Sequence, residues 1–161
     1  MENIQEELYD LADSMSHSSS RAERILRRMI EKEAPYAFDA YHQLAFILWY
    51  GRKDSNEALA VLKDGLSKAE ELFPEKFKLG RSQLPWGILE NRPFLRMYES
   101  LGSRYLELGM LKQATEIFEN IVTMNPDDNQ GVRETPKTLW FRNATATIMP
   151  GNFSPETIGE T

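Results

Sequence analysis

No cysteine occurs anywhere in the 161 residues. Disulfide frameworks, thiolate nucleophiles and cysteine-ligated metals are therefore excluded, and the absence fits a reducing compartment. Histidine is nearly as scarce, with only His17 and His42. Neither has a second histidine or a carboxylate three or four residues further on, the spacing a helical metal site usually needs. Ser18, Ser19 and Ser20 adjoin His17, but no nucleophile-elbow motif surrounds them, and neighbours in sequence do not build a triad. Glycine-rich phosphate loops are missing as well. Positive charge is in deficit, with a formal net charge of −6, and such a field disfavours nonspecific nucleic-acid binding. The longest apolar run, residues 44–50, is far too short to cross a bilayer. The opening MENIQEELYD is acidic, without the basic-then-apolar order of a signal peptide. Together these absences predict a soluble, cytoplasmic, non-enzymatic protein with no metal or cofactor, bound to neither nucleic acid nor membrane. The length suits one domain able to bury a core without covalent staples.

What is present is helical periodicity, clearest over residues 95–126, LRMYESLGSRYLELGMLKQATEIFENIVTMNP. Leu95, Tyr98, Leu101, Gly102, Tyr105 and Leu108 form one helical stripe, with a flat spot at the glycine. Gly109 breaks the pattern, and a second stripe runs through Leu111, Ala114, Ile117, Phe118, Ile121 and Val122 to Asn125-Pro126. Two amphipathic helices joined by a short glycine turn make an antiparallel hairpin. The spacing resembles the tetratricopeptide repeat, whose period is about 34 residues. With Pro126 as its closing proline, Tyr98, Leu101, Gly102, Tyr105, Gly109, Ala114 and Phe118 fall on the signature positions.

Weaker copies precede it. Residues 1–15 carry Ile4, Leu8, Leu11, Ala12 and Met15 at helical spacing, followed by a serine-rich turn at 16–20. A helix is predicted over 21–33 on Ala22, Ile25, Leu26, Met29 and Ile30, ending before Pro35. Its basic face, Arg21, Arg24, Arg27, Arg28 and Lys32, reads as a solvated surface paired with Glu2, Glu6, Glu7 and Asp10. The alternative reading is a patch for an acidic partner. Residues 38–50 supply Leu44-Ala45 and Leu48, Gly51 starts a turn, and Ala58, Leu59, Leu62 and Leu66 define a partner helix to about residue 72. Registered on Ala45, this hairpin has one extra turn residue; registered on Ala58, the small-residue position would hold Phe46. The first register is preferred, because turns absorb insertions more readily than packed crossings do. Ala58 to Ala114 spans 56 residues, one period plus an insertion of about 22. The insertion, about residues 74–93, is predicted to be ordered but irregular, pinned by Phe77, Leu84, Trp86, Ile88 and Leu89. Arg92-Pro93 then restarts helix, with proline at its first position. Asp127-Asp128-Asn129 matches part of a calcium loop but lacks the glycine and closing glutamate; capping is the preferred reading.

Residues 86–133 resemble one family more closely, that related to the suppressor-of-tumorigenicity-seven protein. The carriers are a Trp-Gly-x-x-Glu-x-Arg-Pro lead-in (Trp86, Gly87, Glu90, Arg92, Pro93), the repeat itself, and NPDDNQGVR. The resemblance breaks after Arg133, where Pro136 intervenes. It implies a non-enzymatic interaction role. The tetratricopeptide resemblance implies an all-α domain over residues 1–134, about three hairpins in a short right-handed solenoid, with an irregular tail or cap at 135–161. In that architecture the first helix of each pair lines a concave groove. Its outward positions here are Tyr9, Asp13, His42, Phe46, Trp49, Arg96, Glu99 and Ser103. Trp49 and Arg96 are the expected anchors, since aromatics and arginine dominate interfaces. The expected partner is a protein or peptide segment. The alternative is a structural or oligomerisation module that associates with a second copy through its ends or tail.

Overall fold

A computed structural model describes residues 19–33 and 36–134. The predicted helix at 1–15, with Tyr9 and Asp13, and the tail at 135–161 lie outside the described residues. Those described are all-helical, with five α-helices and no strand among them. Helix α1 is Ser19–Glu33, α2 Phe38–Phe46, α3 Ser55–Leu72, α4 Arg92–Glu107 and α5 Leu111–Met124. Each helix packs on the next in sequence, and α2 also lies against α4.

The α1 stripe is buried at Ala22, Leu26 and Met29, with Ile25 and Ile30 packed at its margins. In α2 the buried residues are Ala40, Tyr41, Leu44 and Ala45. The helix then widens into a π-helical turn, Ile47–Gly51, closed by the Arg52 N–H donating to the Ile47 carbonyl at 3.1 Å. A π-turn holds one residue more than an α-turn over the same rise. The extra residue of this hairpin therefore sits in the last helical turn rather than in the loop after it. Ala45 and Ala58 are both buried while Phe46 is exposed, so the Ala45 register places the small residue at the crossing. Lys53 then takes a left-handed conformation, φ 57°, and the Asp54 carboxylate caps α3 by accepting from the Glu57 N–H at 2.9 Å.

Helix α3 buries Ala58, Leu62, Gly65 and Ala69; Leu59 and Leu66 lie at the core's edge. Gly65 marks the closest approach, since a Cβ there would fall 2.5 Å from Met97 Sδ and 3.0 Å from Tyr41 Cγ. Three helices, α2, α3 and α4, thus meet at one glycine.

The insertion crosses to the far end of α5. The Leu84 N–H donates to the Met124 carbonyl at 2.7 Å, and the Trp86 N–H to Asn125 Oδ1 at 3.2 Å. Phe77, Leu79, Leu84 and Trp86 pack on the core. Ile88 and Leu89 do not: they are 50% and 63% exposed, contrary to the sequence expectation. The reason is local. A 3-10 turn at Leu89–Asn91 and the Asn91 amide donating to the Pro85 carbonyl at 2.9 Å close the segment on itself and leave these two side chains in solvent.

Helix α4 begins at Arg92, with proline in its first turn. At Gly102 a Cβ would stand 2.9 Å from both Ile117 Cγ2 and Phe118 Cε1, so the flat spot is the α4–α5 crossing. Gly109, φ +73°, ends α4 with the Met110 N–H on the Tyr105 carbonyl and the Gly109 N–H on the Leu106 carbonyl, the paired bonds of a Schellman cap. Leu108 stands at this cap beyond the last buried turn and is exposed, correcting its place in the predicted stripe. After α5 the chain turns at Pro126, and Val132 returns to full burial.

Candidate functional site

The face shared by α2 and α4 is held by two contacts with the same sequence separation. Arg96 grips Asp39 with two charge-assisted bonds, Nε to Oδ1 at 2.9 Å and Nη2 to Oδ2 at 2.8 Å, across 57 residues. Nearer the other end the Tyr50 hydroxyl donates to Glu107 Oε1 at 3.1 Å, also across 57 residues. Equal offsets at both ends mean that the two helices run side by side in the same direction. Ala45 and Gly102, two buried small residues, have that offset too.

Between these ties lie the residues that periodicity nominates. His42, Phe46 and Trp49 come from α2 and its π-turn, and Arg96, Glu99 and Ser103 from α4. His42 is half-buried, and burial lowers its pKa below the ordinary 6.5; Asp39 opposes the shift, and Arg96 and Arg104 add to it. Its imidazole is therefore neutral at pH 7. Phe46 is 45% exposed and leans on the Tyr50 ring at 4.8 Å. Trp49 packs against the core edge and receives the Arg104 guanidinium 4.9 Å from its ring centroid. Ser103 is half-buried. Glu99 does not belong to the open face alone, because its carboxylate accepts from the Gln130 amide beyond α5.

Five participants escape the sequence reading. Arg104 is nearly buried, stacks on both Trp49 and Tyr50 at 4.9 Å and pairs with Glu107 at 3.0 Å. Asp39, Tyr50, Glu107 and Gln130 are the others. Asp39 had a signal, the 57-residue offset, which carries it onto Arg96 once Ala45 is aligned with Gly102. Arg104 and Gln130 had none, because a buried arginine and a lone glutamine leave no periodic trace.

The lead-in residues cluster at the start of α4. The Trp86 ring lies 5.2 Å from the Arg92 guanidinium and 5.8 Å from that of Arg96, and Arg92 Nε donates to the Trp86 carbonyl at 2.9 Å. Pro93 is in the first turn of α4. Gly87 and Glu90 are exposed, and a Cβ at Gly87 would meet nothing within 4 Å. Trp86, Arg92 and Arg96 therefore form one cation–π stack that continues into the Asp39 pair.

Elsewhere, Arg27 on the basic face of α1 pairs with Glu23 and with Glu57 of α3, and Arg52 pairs with Glu23 at 2.9 Å. Asp128 Oδ1 and Oδ2 accept the Val132 and Arg133 N–H groups at 2.7 and 3.0 Å, so this carboxylate caps backbone. A cleft of about 430 Å³ between the end of α3 and the insertion is lined by Phe73, Phe77, Lys78 and Arg81, among others, and none of the nominated residues faces it. Among the described residues, no group of three or more histidines and carboxylates is placed to hold a metal. No helix among them is long and apolar enough to cross a membrane. Comparison of the chain with protein-family models, with curated proteins and with solved structures returns no match.

Proposed function

We propose that this chain is a tetratricopeptide-like repeat protein, related to the suppressor-of-tumorigenicity-seven family, whose α2–α4 face binds a protein or peptide segment without catalysis. The observation that carries the reading is the parallel alignment of α2 and α4 at a constant offset of 57 residues. An offset of that size equals one repeat period of about 34 residues plus the insertion. Side-by-side first helices fit a short right-handed solenoid, in which His42, Phe46, Trp49, Arg96 and Ser103 would share the concave surface. Aromatic rings backed by arginines are the usual composition of an interface centre. The reading also takes the protein as cytoplasmic.

Phe46 is the test position, because its ring is exposed and its loss leaves the core intact. Affinity capture from the native cell with the wild-type chain and with F46D should recover a protein partner only with the former. Equal capture by F46D, at unchanged helical circular dichroism, would remove the groove from consideration.

A further inference from the structure

Residues 125–134 form a strap that leaves α5 and reaches α4 at Glu99. Most of its hydrogen bonds are internal. The Asp128 N–H donates to the Asn125 carbonyl at 3.0 Å, the Gly131 N–H to the Asp128 carbonyl at 2.9 Å, and Arg133 Nη2 to the Pro126 carbonyl at 2.7 Å. Beyond its root at Asn125, Val132 and Gln130 hold it to the body. Val132 is fully buried. Gln130 Nε2 donates to Glu99 Oε2, while Gln130 Oε1 is buried without a donor.

That unmatched oxygen is informative. An ionised carboxylate only accepts, so it can satisfy the N–H half of a primary amide and never the C=O half. A protonated carboxyl has both functions. It accepts the amide N–H on one oxygen and donates its own O–H to the amide oxygen from the other. Half-buried beside Gln130, Glu99 would complete such a pair by taking one proton from solvent.

We infer that the strap is latched to α4 by a reciprocal acid–amide pair between Glu99 and Gln130, and that ionisation of Glu99 as pH rises loosens it. The electrostatics agree. Burial pushes the Glu99 carboxyl up, the Gln130 hydrogen bond opposes this, and Asp128 on the strap adds to the rise. Arg96, one turn earlier on α4, is engaged by Asp39 of α2. His42 of α2 lies in the field of Asp39, Arg96 and Arg104. The charges that α3 and α5 bring here, Glu70 and Glu116, bear on Tyr98. Because the latched state has the higher pKa, the latch is at full strength below the ordinary 4.5 and weakens as pH rises through the raised value. It depends only on contacts within the chain, whatever the α2–α4 face binds.

The chain contains three valines, Val61, Val122 and Val132, so valine-methyl NMR on the full-length protein reads the strap directly. Between about pH 4 and about pH 8, either side of the ordinary carboxylate range, the Val132 methyls should shift toward an unpacked position while those of Val61 and Val122 stay fixed. In E99Q an amide faces an amide, both halves are matched at every pH, and the Val132 signals should not move. D128N removes the neighbouring charge yet keeps one acceptor for the strap backbone, and the wild-type midpoint should fall. Val132 methyls that ignore pH in the wild type, an E99Q series that titrates with the wild-type midpoint, or a D128N midpoint that does not fall would each overturn the latch.

Discussion

Arg96 binds Asp39 through two of its guanidinium nitrogens, Nε and Nη2, while the guanidinium also lies over the Trp86 ring. One side chain thereby joins α2, the insertion and α4. The pair is about a third exposed on each side, 38% for Arg96 and 34% for Asp39, so solvent screens much of its attraction. A double-mutant cycle with D39A and R96A, followed by urea unfolding, should return a coupling of about 1 kcal/mol or less. R96K keeps the charge but loses the two-pronged geometry, and it should recover less than half of that coupling.

Gly102 and Gly87 should respond in opposite ways to a side chain. At Gly102 the added atoms meet Ile117 and Phe118 at 2.9 Å, so G102V should cost about 1–3 kcal/mol by overpacking the α4–α5 crossing. At Gly87 there is open space and no left-handed backbone. G87A should therefore be neutral or stabilise by up to about 1 kcal/mol through the unfolded chain. Paired denaturation curves decide this, and comparable losses in both variants would contradict the assigned crossing.

The cap on α3 gives a third measurement. Asp54 satisfies the Glu57 N–H, one of the four donors a helix start leaves unpaired. D54A should lower stability by about 1 kcal/mol, and D54N should restore most of it. A D54N as unstable as D54A would mean that the charge, not the acceptor, matters.

His42 provides the pH prediction. Its folded pKa lies below the ordinary 6.5, so the folded state binds fewer protons than the unfolded one around that value. Stability is then complete above about pH 6.5 and is lost as pH falls toward the lowered value. The His42 imidazole resonance should titrate below 6.5, and D39N, which removes the opposing carboxylate, should move the midpoint lower still. A midpoint above 6.5 would show that burial does not control this ring.

Helix positions were legible wherever the sequence supplied periodicity and a punctuating residue. Gly102 and Ala114 at the crossing, and Gly109 at the turn, are such signals, each with one steric reason to be small. Gly65 was not read, because a glycine inside a helical pattern looks like weakened propensity rather than close approach. Ile88 and Leu89 were placed inward on hydrophobicity alone. In an irregular segment that property carries no direction, and a side chain's orientation there follows from hydrogen bonds such as Asn91 to Pro85. The candidate site was half legible for the same reason. His42, Phe46, Trp49, Arg96, Glu99 and Ser103 follow from helical phase. Glu99's engagement by Gln130 depends on where an aperiodic strap lands.

The π-turn at Ile47–Gly51 has a bearing on how this architecture tolerates change in length. Helices α2 and α4 keep an offset of 57 residues, whereas Ala58 of α3 and Ala114 of α5 are 56 apart. The difference of one is taken up within a single turn, so the spacing of α2 and α4 is independent of that of α3 and α5. That turn acts as a vernier: a residue can be added or removed there while the helices on either side keep their rotational phase. The same change inside α2 or α3 would rotate a packed face by about 100°.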